Sequence, residues 1–440
     1  MSNTTTQPVV PKNLLVPFIL ITTLFALWGF ANDITNPMVS AFKKVLELNN
    51  TQASWVQMAF YGGYFTMALP AAIFAKKYSY KKGILLGLAL YAIGALLFYP
   101  AAAYEQFGFF LMALYILTFG LAFLETTANP FILSMGPEET ATQRLNLAQA
   151  FNPIGALAGL YAAQNFILGS LQSDDKDASG NAIYDTLSES AKAAVRSADL
   201  MVIRNPYVIL GLGVIGILVL IAVVKMPENK ETNTHESVGS TINRIFQKAK
   251  FREGVLAQMF YVGAQIMCWT YIYQYAETLG IDNQSAVPYA MSALGIFLLG
   301  RWVCTFLLKY FNSGQLLMYL SILAIIFTLG TIFLEGMTGL YSLVMISFCM
   351  SLMFPTIYGI ALEGMGDDAK YGAAFLVMAI VGGAIMPLAQ GMILDIGGAG
   401  YTDTRILGVP EVNFSFILPL MCFVVVATYG YRVFRVFPSD

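Results

Sequence analysis

The chain has 440 residues, of which 57% are hydrophobic and 11% charged, and its mean hydropathy is +0.66. Soluble domains carry about a quarter charged residues, so composition excludes a soluble enzyme or binding module. A net charge of −2 gives no reason to expect a nucleic-acid partner.

A run of about 18 or more apolar residues can cross the hydrocarbon core of a bilayer. The N-terminal tail is polar and has no basic region ahead of a short apolar core. Leu14–Phe30 therefore reads as a first permanent span, not as a cleaved signal peptide. Further runs follow at Ala53–Phe74, Ile84–Ala103, Phe107–Leu133, Leu145–Leu168 and Pro206–Val224. A second set lies at Val255–Ala276, Val287–Leu308, Leu316–Phe333, Tyr341–Leu362, Ala373–Leu394 and Phe414–Val433. The expectation is an all-α membrane protein with twelve transmembrane helices in two six-helix halves. Residues 1–225 form the N-terminal half, 226–252 a cytoplasmic linker and 253–440 the C-terminal half.

Orientation follows from Lys and Arg, which concentrate in cytoplasmic loops. With both termini inside, the inner set includes Lys76, Lys77, Lys81, Lys82, Arg144, Lys248, Lys250, Arg252, Lys309, Arg432 and Arg435. The outer loops are poorer in these residues. The outer segment 170–204 reads as a long polar loop with several acids. The linker carries Ile242, Ile245 and Phe246 at helical spacing, which suggests a short helix lying on the membrane surface. The segment Lys76 to Lys82 is either a latch between halves or only the positive-inside signal.

Weak internal similarity joins the halves. Gly63 aligns with Gly295, Lys77-Tyr78 with Lys309-Tyr310, and Met135-Gly136 with Met365-Gly366, all shifted by about half the chain. Parallel repeats of this kind are a transporter plan, with substrate near the midplane and alternate exposure by rocking. The cysteines Cys268, Cys304, Cys349 and Cys422 all fall inside spans, far apart, and read as packing residues. His235 sits in the linker, so a histidine zinc site is not expected; no metal or cofactor is implied.

Polar side chains in lipid are costly and mark function. The first span ends in Asn32-Asp33-Ile34-Thr35-Asn36-Pro37. Asp33 and Asn36 are three apart and share a face, with Asn32 beside them; Asp33 either faces a cavity or sits at the outer edge. The fourth span holds Glu125 with apolar sequence on both sides. Burial favours its neutral form, so it either carries a proton or makes a structural hydrogen bond. The fifth span presents Asn146, Gln149 and Asn152 on one face, followed by Pro153. Amides both donate and accept, which suits a ligand rich in hydroxyls; the other use is helix-to-helix bonding. In the seventh span Gln265, Trp269 and Tyr273 are four apart and align, an amide with aromatics suited to a sugar ring. Arg301, in the eighth span, is expected to pair with an acid, of which Glu363 is one candidate, or with carbonyls.

Several of these runs are similar to a known family. Ala31-Asn32, Ala59-Phe60-Tyr61, Leu124-Glu125-Thr126-Thr127-Ala128-Asn129-Pro130-Phe131, Arg144-Leu145-Asn146-Leu147-Ala148-Gln149, Tyr261-Val262-Gly263-Ala264-Gln265 and Phe354-Pro355-Thr356-Ile357 resemble the fucose:proton symporter family, a branch of the major facilitator superfamily. The resemblance runs from about residue 13 to 435, nearly the whole chain. It implies the major facilitator fold and proton-coupled import of L-fucose or a related monosaccharide. It also implies a bacterial cytoplasmic (inner) membrane, and a monomer in the lipid bilayer. Glu125 matches the family's proton-linked glutamate. Gln149 and Asn152 match sugar contacts, and Phe354 with Tyr358 one turn on joins the candidate sugar lining. The family's first-span aspartate falls at Asn36, with Asp33 one turn earlier. Either Asp33 takes the role or this span does not titrate. Relatives that carry glucose, galactose or N-acetylhexosamines leave the sugar open, as they do sodium coupling or facilitation. A non-transporting sugar sensor is the alternative of another class, disfavoured by the short linker. An enzyme is not expected, because no span offers a histidine, a metal set or a serine nucleophile motif.

Overall fold

The computed structural model describes residues 8–35, 41–42, 45–48, 50–175, 183–227, 238–281, 283–394, 396 and 404–437; Asn36 and His235 lie outside them. The first part of the chain folds into α1 (Leu15–Thr35), α2 (Asn50–Lys77), α3 (Tyr80–Leu96), α4 (Phe98–Tyr104), α5 (Phe107–Leu133), α6 (Ala141–Gln149), α7 (Asn152–Ala162) and α8 (Glu189–Val223). After the linker helix α9 (Val238–Gln247) come α10 (Ala249–Thr270), α11 (Ile272–Glu277), α12 (Asn283–Leu307), α13 (Ser313–Phe333) and α14 (Met337–Met350). Next are α15 (Met353–Leu362), α16 (Ala369–Met378), α17 (Gly382–Leu394), α18 (Glu411–Ser415) and α19 (Ile417–Arg435). A two-residue antiparallel ladder, β1 (Arg405–Ile406) on β2 (Val409–Pro410), precedes α18.

Among the described residues, 11 helical segments are long and apolar enough to span a membrane. The expected fifth span is the twelfth. It is not one helix but α6 and α7, which meet at Ala150 and Phe151. Pro153 in the first turn of α7 has no N–H to continue the ladder from α6. The eleventh span is interrupted in the same way, by a 3₁₀ turn at Ala379–Val381 between α16 and α17. Each broken span also follows a 3₁₀ turn, Glu138–Thr140 and Gly366–Asp368, preceded by a buried methionine, Met135 and Met365. The internal repeat is therefore visible in the architecture at this pair. The surroundings of Gly63 and Gly295 differ. A Cβ on Gly63 would meet Thr118 Cβ at 2.8 Å, whereas nothing lies within 4 Å of the same point at Gly295.

Three local expectations change. The segment after residue 188 is not loop: α8 has 35 residues, about 52 Å of helix against a hydrocarbon core of about 30 Å. Ser188 caps it by accepting from Ala191 N, and Glu189 favours the first turn. The helix α9 forms where expected, but its apolar face packs on protein. Ile245 is fully buried, and Phe246 meets Phe251 and Phe375 edge-on at 5.5 and 4.8 Å. Lys81 stays within the first half of the sequence, donating to the Ala222 and Val224 carbonyls at 2.9 and 2.8 Å. A cation there satisfies the unpaired carbonyls at the end of α8.

The chain divides into two compact units. One comprises Val16–Ala128 and Phe151–Asn229; the other comprises Met1–Leu15, Asn129–Ala150 and Lys230–Asp440. The end of α5 and all of α6 thus pack with the second half of the sequence. In the first unit, glycines bring α7 onto α1. A Cβ on Gly155 would fall 1.8 Å from the Ala26 carbonyl oxygen, and one on Gly29 would fall 2.0 Å from that of Asn152.

Candidate functional site

The first unit holds the acids. Glu125 lies within α5, with Oε2 out of contact with solvent. The Tyr64 hydroxyl of α2 lies beside its carboxyl group. Three residues earlier on α2, Tyr61 interacts with Asp33 of α1, which is half-buried like its neighbour Asn32. One face of α2 thus addresses both acids through tyrosines. Tyr91 of α3 donates to the Leu27 carbonyl at 3.3 Å, fixing α3 to α1 behind this face. Trp28, 2% exposed, leaves its indole Nε1 without a hydrogen-bond partner among the described residues. Asn152 spends an amide hydrogen on the Phe25 carbonyl at 3.1 Å, so one of its four bonding positions holds α7 against α1.

The second unit holds Asn146, Gln149 and Gln265, two buried arginines and the aromatics of the later spans. Arg144, fully buried in α6, donates to the carbonyls of Ile132 at 2.8 Å, Leu133, Pro137 and Val9, and to Thr140 Oγ1. It closes the last turn of α5, whose carbonyls have no partners within the helix. That is the physical reason for an arginine at the head of its motif. On the next turns of α6, Gln149 Nε2 donates to Asn129 Oδ1 at 2.9 Å, and Asn146 Nδ2 to Thr356 Oγ1 at 3.1 Å.

Arg301, 3% exposed in α12, donates to the Gln149 carbonyl at 3.3 Å. Its guanidinium lies over the Phe297 ring, 5.0 Å from the centroid. Trp269 also packs on that ring, edge-on at 5.1 Å, and its indole N–H donates to Ser347 Oγ at 3.2 Å. Asn129, Gln149, Arg301, Phe297, Trp269 and Ser347 therefore form one continuous network. Tyr261 donates to the Met350 carbonyl at 3.0 Å, interacts electrostatically with Arg301 and packs on Phe354, which stacks on Tyr358.

Gln149 thus touches Arg301 directly, Trp269 connects to it through Phe297, and Phe354 with Tyr358 through Tyr261. Arg301 itself binds a carbonyl and a ring; the candidate acid, Glu363, is taken by Lys250. Gln265 is half-buried on α10. Tyr273 does not continue that face, because the backbone at Tyr271 (φ −90, ψ 10) ends α10 and Tyr273 sits on α11. Sequence reasoning missed Tyr64 and Trp28, since an aromatic in a span is ordinary; Tyr64 stands one turn beyond the Ala59-Phe60-Tyr61 run. Arg301 carried its own signal, a lone cation in an apolar run.

Comparison with known proteins gives three findings. The family model for the Major Facilitator Superfamily matches residues 19–389. An L-fucose-proton symporter of Haemophilus influenzae is 56% identical over 429 residues, 97% of this chain and 99% of that protein, and one of Escherichia coli is 35% identical over 95% and 93%. The crystal structure of a major facilitator superfamily transporter, FucP, in the outward conformation matches with a TM-score of 0.85 at 34% identity, covering 96% of this chain and 99% of that one.

Proposed function

Because the chain belongs to the fucose:proton symporter family of the major facilitator superfamily, we propose that it imports L-fucose with a proton by alternating access. It works across a bacterial cytoplasmic membrane with both termini inside. It is a transporter, not an enzyme. The observation that carries the proton part is Glu125, a carboxyl group buried within α5, about two turns before its end, beside the Tyr64 hydroxyl. A charged side chain at a helix centre costs about 2.5–3.5 kcal/mol on insertion scales. The neutral form is the one the span holds best, so a proton taken on one side is retained until water or a counter-charge is reached. Asp33, beside Tyr61, is the second acid of the candidate site and acts in the same relay.

The network around Arg301 supports the sugar part. A guanidinium and two amides present donors to hydroxyl oxygens, and Trp269, Phe354 and Tyr358 present faces to sugar C–H groups. Asn32, Asn146, Asn152, Gln265 and Tyr273 are further contacts in this proposal. The deciding experiment is uptake of radiolabelled L-fucose into proteoliposomes, with pH recorded and unlabelled monosaccharides as competitors. L-Fucose should compete best, and uptake should collapse with a protonophore but be indifferent to sodium. Stronger competition by glucose or galactose, or dependence on sodium, would overturn the assignment.

A further inference from the structure

The eleventh span meets the seventh in two different ways. Beyond its break, α17 runs against α10 at backbone distance. A Cβ on Gly382 would fall 2.1 Å from the Met259 carbonyl oxygen, and one on Gly263 would fall 2.4 Å from Met386 Cγ. At the break and before it lies a groove of about 470 Å³. Its walls are Val255, Leu256 and Met259 of α10, Phe375 and Met378 of α16, and Val381 of the 3₁₀ turn. The groove is open on one side, where Leu256 is 49% exposed. Arg252 and Glu253 stand at one end of it, at the start of α10. From Arg252 to Met259 the helix rises about 10 Å.

The charges at this end are unevenly matched. Arg244 pairs with Asp368 at 2.8 Å, Lys250 with Glu363, and Glu253 itself with Arg432 at 2.7 Å. Arg252 is exposed and has no carboxylate partner among the described residues. Its hydrogen bond there runs from Nη1 to the Phe246 carbonyl at 3.2 Å, in the last turn of α9. A guanidinium has five N–H donors, so most of its capacity is left for a ligand. Phe246 also packs edge-on against Phe375 at 4.8 Å, so α9 fixes both the cation and one wall of the groove. A sugar would find no donors or acceptors along this wall. Residues 228–237 of the linker are polar, with Glu228, Lys230, Glu231 and Glu236, and would gain nothing by filling it. An apolar channel with a free cation at one end, in a membrane-spanning chain, matches a phospholipid. A zwitterionic headgroup would bring its own cation to Arg252; an anionic one would not.

We propose that the groove between α10 and α16 binds an anionic phospholipid, with the phosphate on Arg252 and an acyl chain along the apolar wall as far as Val381. The chain fills space between the two spans that no side chain occupies. On the orientation proposed above, the lipid comes from the cytoplasmic leaflet. The inference rests on the membrane topology but not on the identity of the sugar or the ion.

The test is native mass spectrometry of the full chain in neutral detergent, titrated with phosphatidylglycerol and, separately, with phosphatidylcholine of the same acyl chains. Phosphatidylglycerol should be retained at about fivefold lower concentration, and Arg252→Gln should bring the two lipids to within about twofold of each other. Lys309→Gln removes another exposed cation outside the groove and should leave the preference unchanged. Equal retention of the two lipids by the parent would overturn the site, as would equal loss of preference in both variants. Displacement of the lipid by inorganic phosphate alone would reduce it to an anion site and overturn it too. A dimer that binds no lipid, read from the same spectra, would give the groove to a second copy of the chain and equally overturn the proposal. Phosphatidylglycerol with a diazirine in its acyl chain checks the placement without any variant. Label should concentrate in residues 252–259 and 375–381; an even spread over the spans would overturn the placement. These readings do not involve transport, so their failure is distinct from failure of the uptake assay.

Discussion

Glu125 and Gln149 were legible because lipid leaves a polar atom few inexpensive places to be. A carboxyl group with a dozen apolar residues before it has no route to an interface, and the structure leaves Glu125 Oε2 buried. Tyr64 was not legible, since a tyrosine in a span serves equally as packing. Arg301 was visible as a cost, and of the two kinds of partner expected, an acid or carbonyls, a carbonyl is the one found, with a ring face beside it; Glu363 pairs elsewhere. The amides divide for a similar reason. Asparagine bonds to whatever backbone or hydroxyl is near, and only folding brings Phe25 and Thr356 to Asn152 and Asn146. At this scale the prediction is for Glu125→Gln, which keeps the shape of the side chain and removes the exchangeable proton. Sugar exchange should persist within about threefold, while accumulation driven by a proton gradient falls to equilibration. Full accumulation in the variant, measured with radiolabelled L-fucose, would remove Glu125 as the carrier.

Span number and approximate position could be read from apolar run length alone, because hydropathy reports the bilayer and not the partner helix. Breaks and lengths could not. Pro153 signals an interruption but not its extent, and the alanine-rich start of α8 reads as a loop because it is polar, although Ser188 and Glu189 give it a helix start. The apolar stripe of α9 is correctly placed, yet periodicity does not say whether lipid or Phe375 covers it. The contact between α1 and α7 was hidden as well, since it depends on which backbone meets Gly155. Its consequence is sharp. Gly155→Ala puts a Cβ 1.8 Å from a backbone oxygen that no rotamer change can move. Overpacking of this kind costs typically about 1–3 kcal/mol, occasionally more. The variant should therefore lose several degrees of thermal stability in detergent. Gly216→Ala, with nothing within 4 Å of the added carbon, should melt like the parent.

At the scale of the whole molecule, the proposed symport requires sugar and proton to be thermodynamically linked. If protonation tightens sugar binding by some factor, sugar binding tightens protonation by the same factor, whatever the path between them. The acids lie in one compact unit, with Glu125 and Asp33 addressed by α2, and the guanidinium and aromatic network lies in the other. On the symport proposal this linkage must show in the purified protein with no gradient and no membrane. Adding L-fucose to the lightly buffered protein in detergent should draw protons from solution, reading as a rise in pH. The uptake should vanish at low pH, where the carrier is already protonated, and it should be absent in Glu125→Gln. Arg301→Met should reduce it only through weaker sugar binding, so that saturating sugar restores the full amplitude. A pH trace that stays flat at every starting pH while sugar binds normally would falsify proton coupling and leave a facilitator on the same fold.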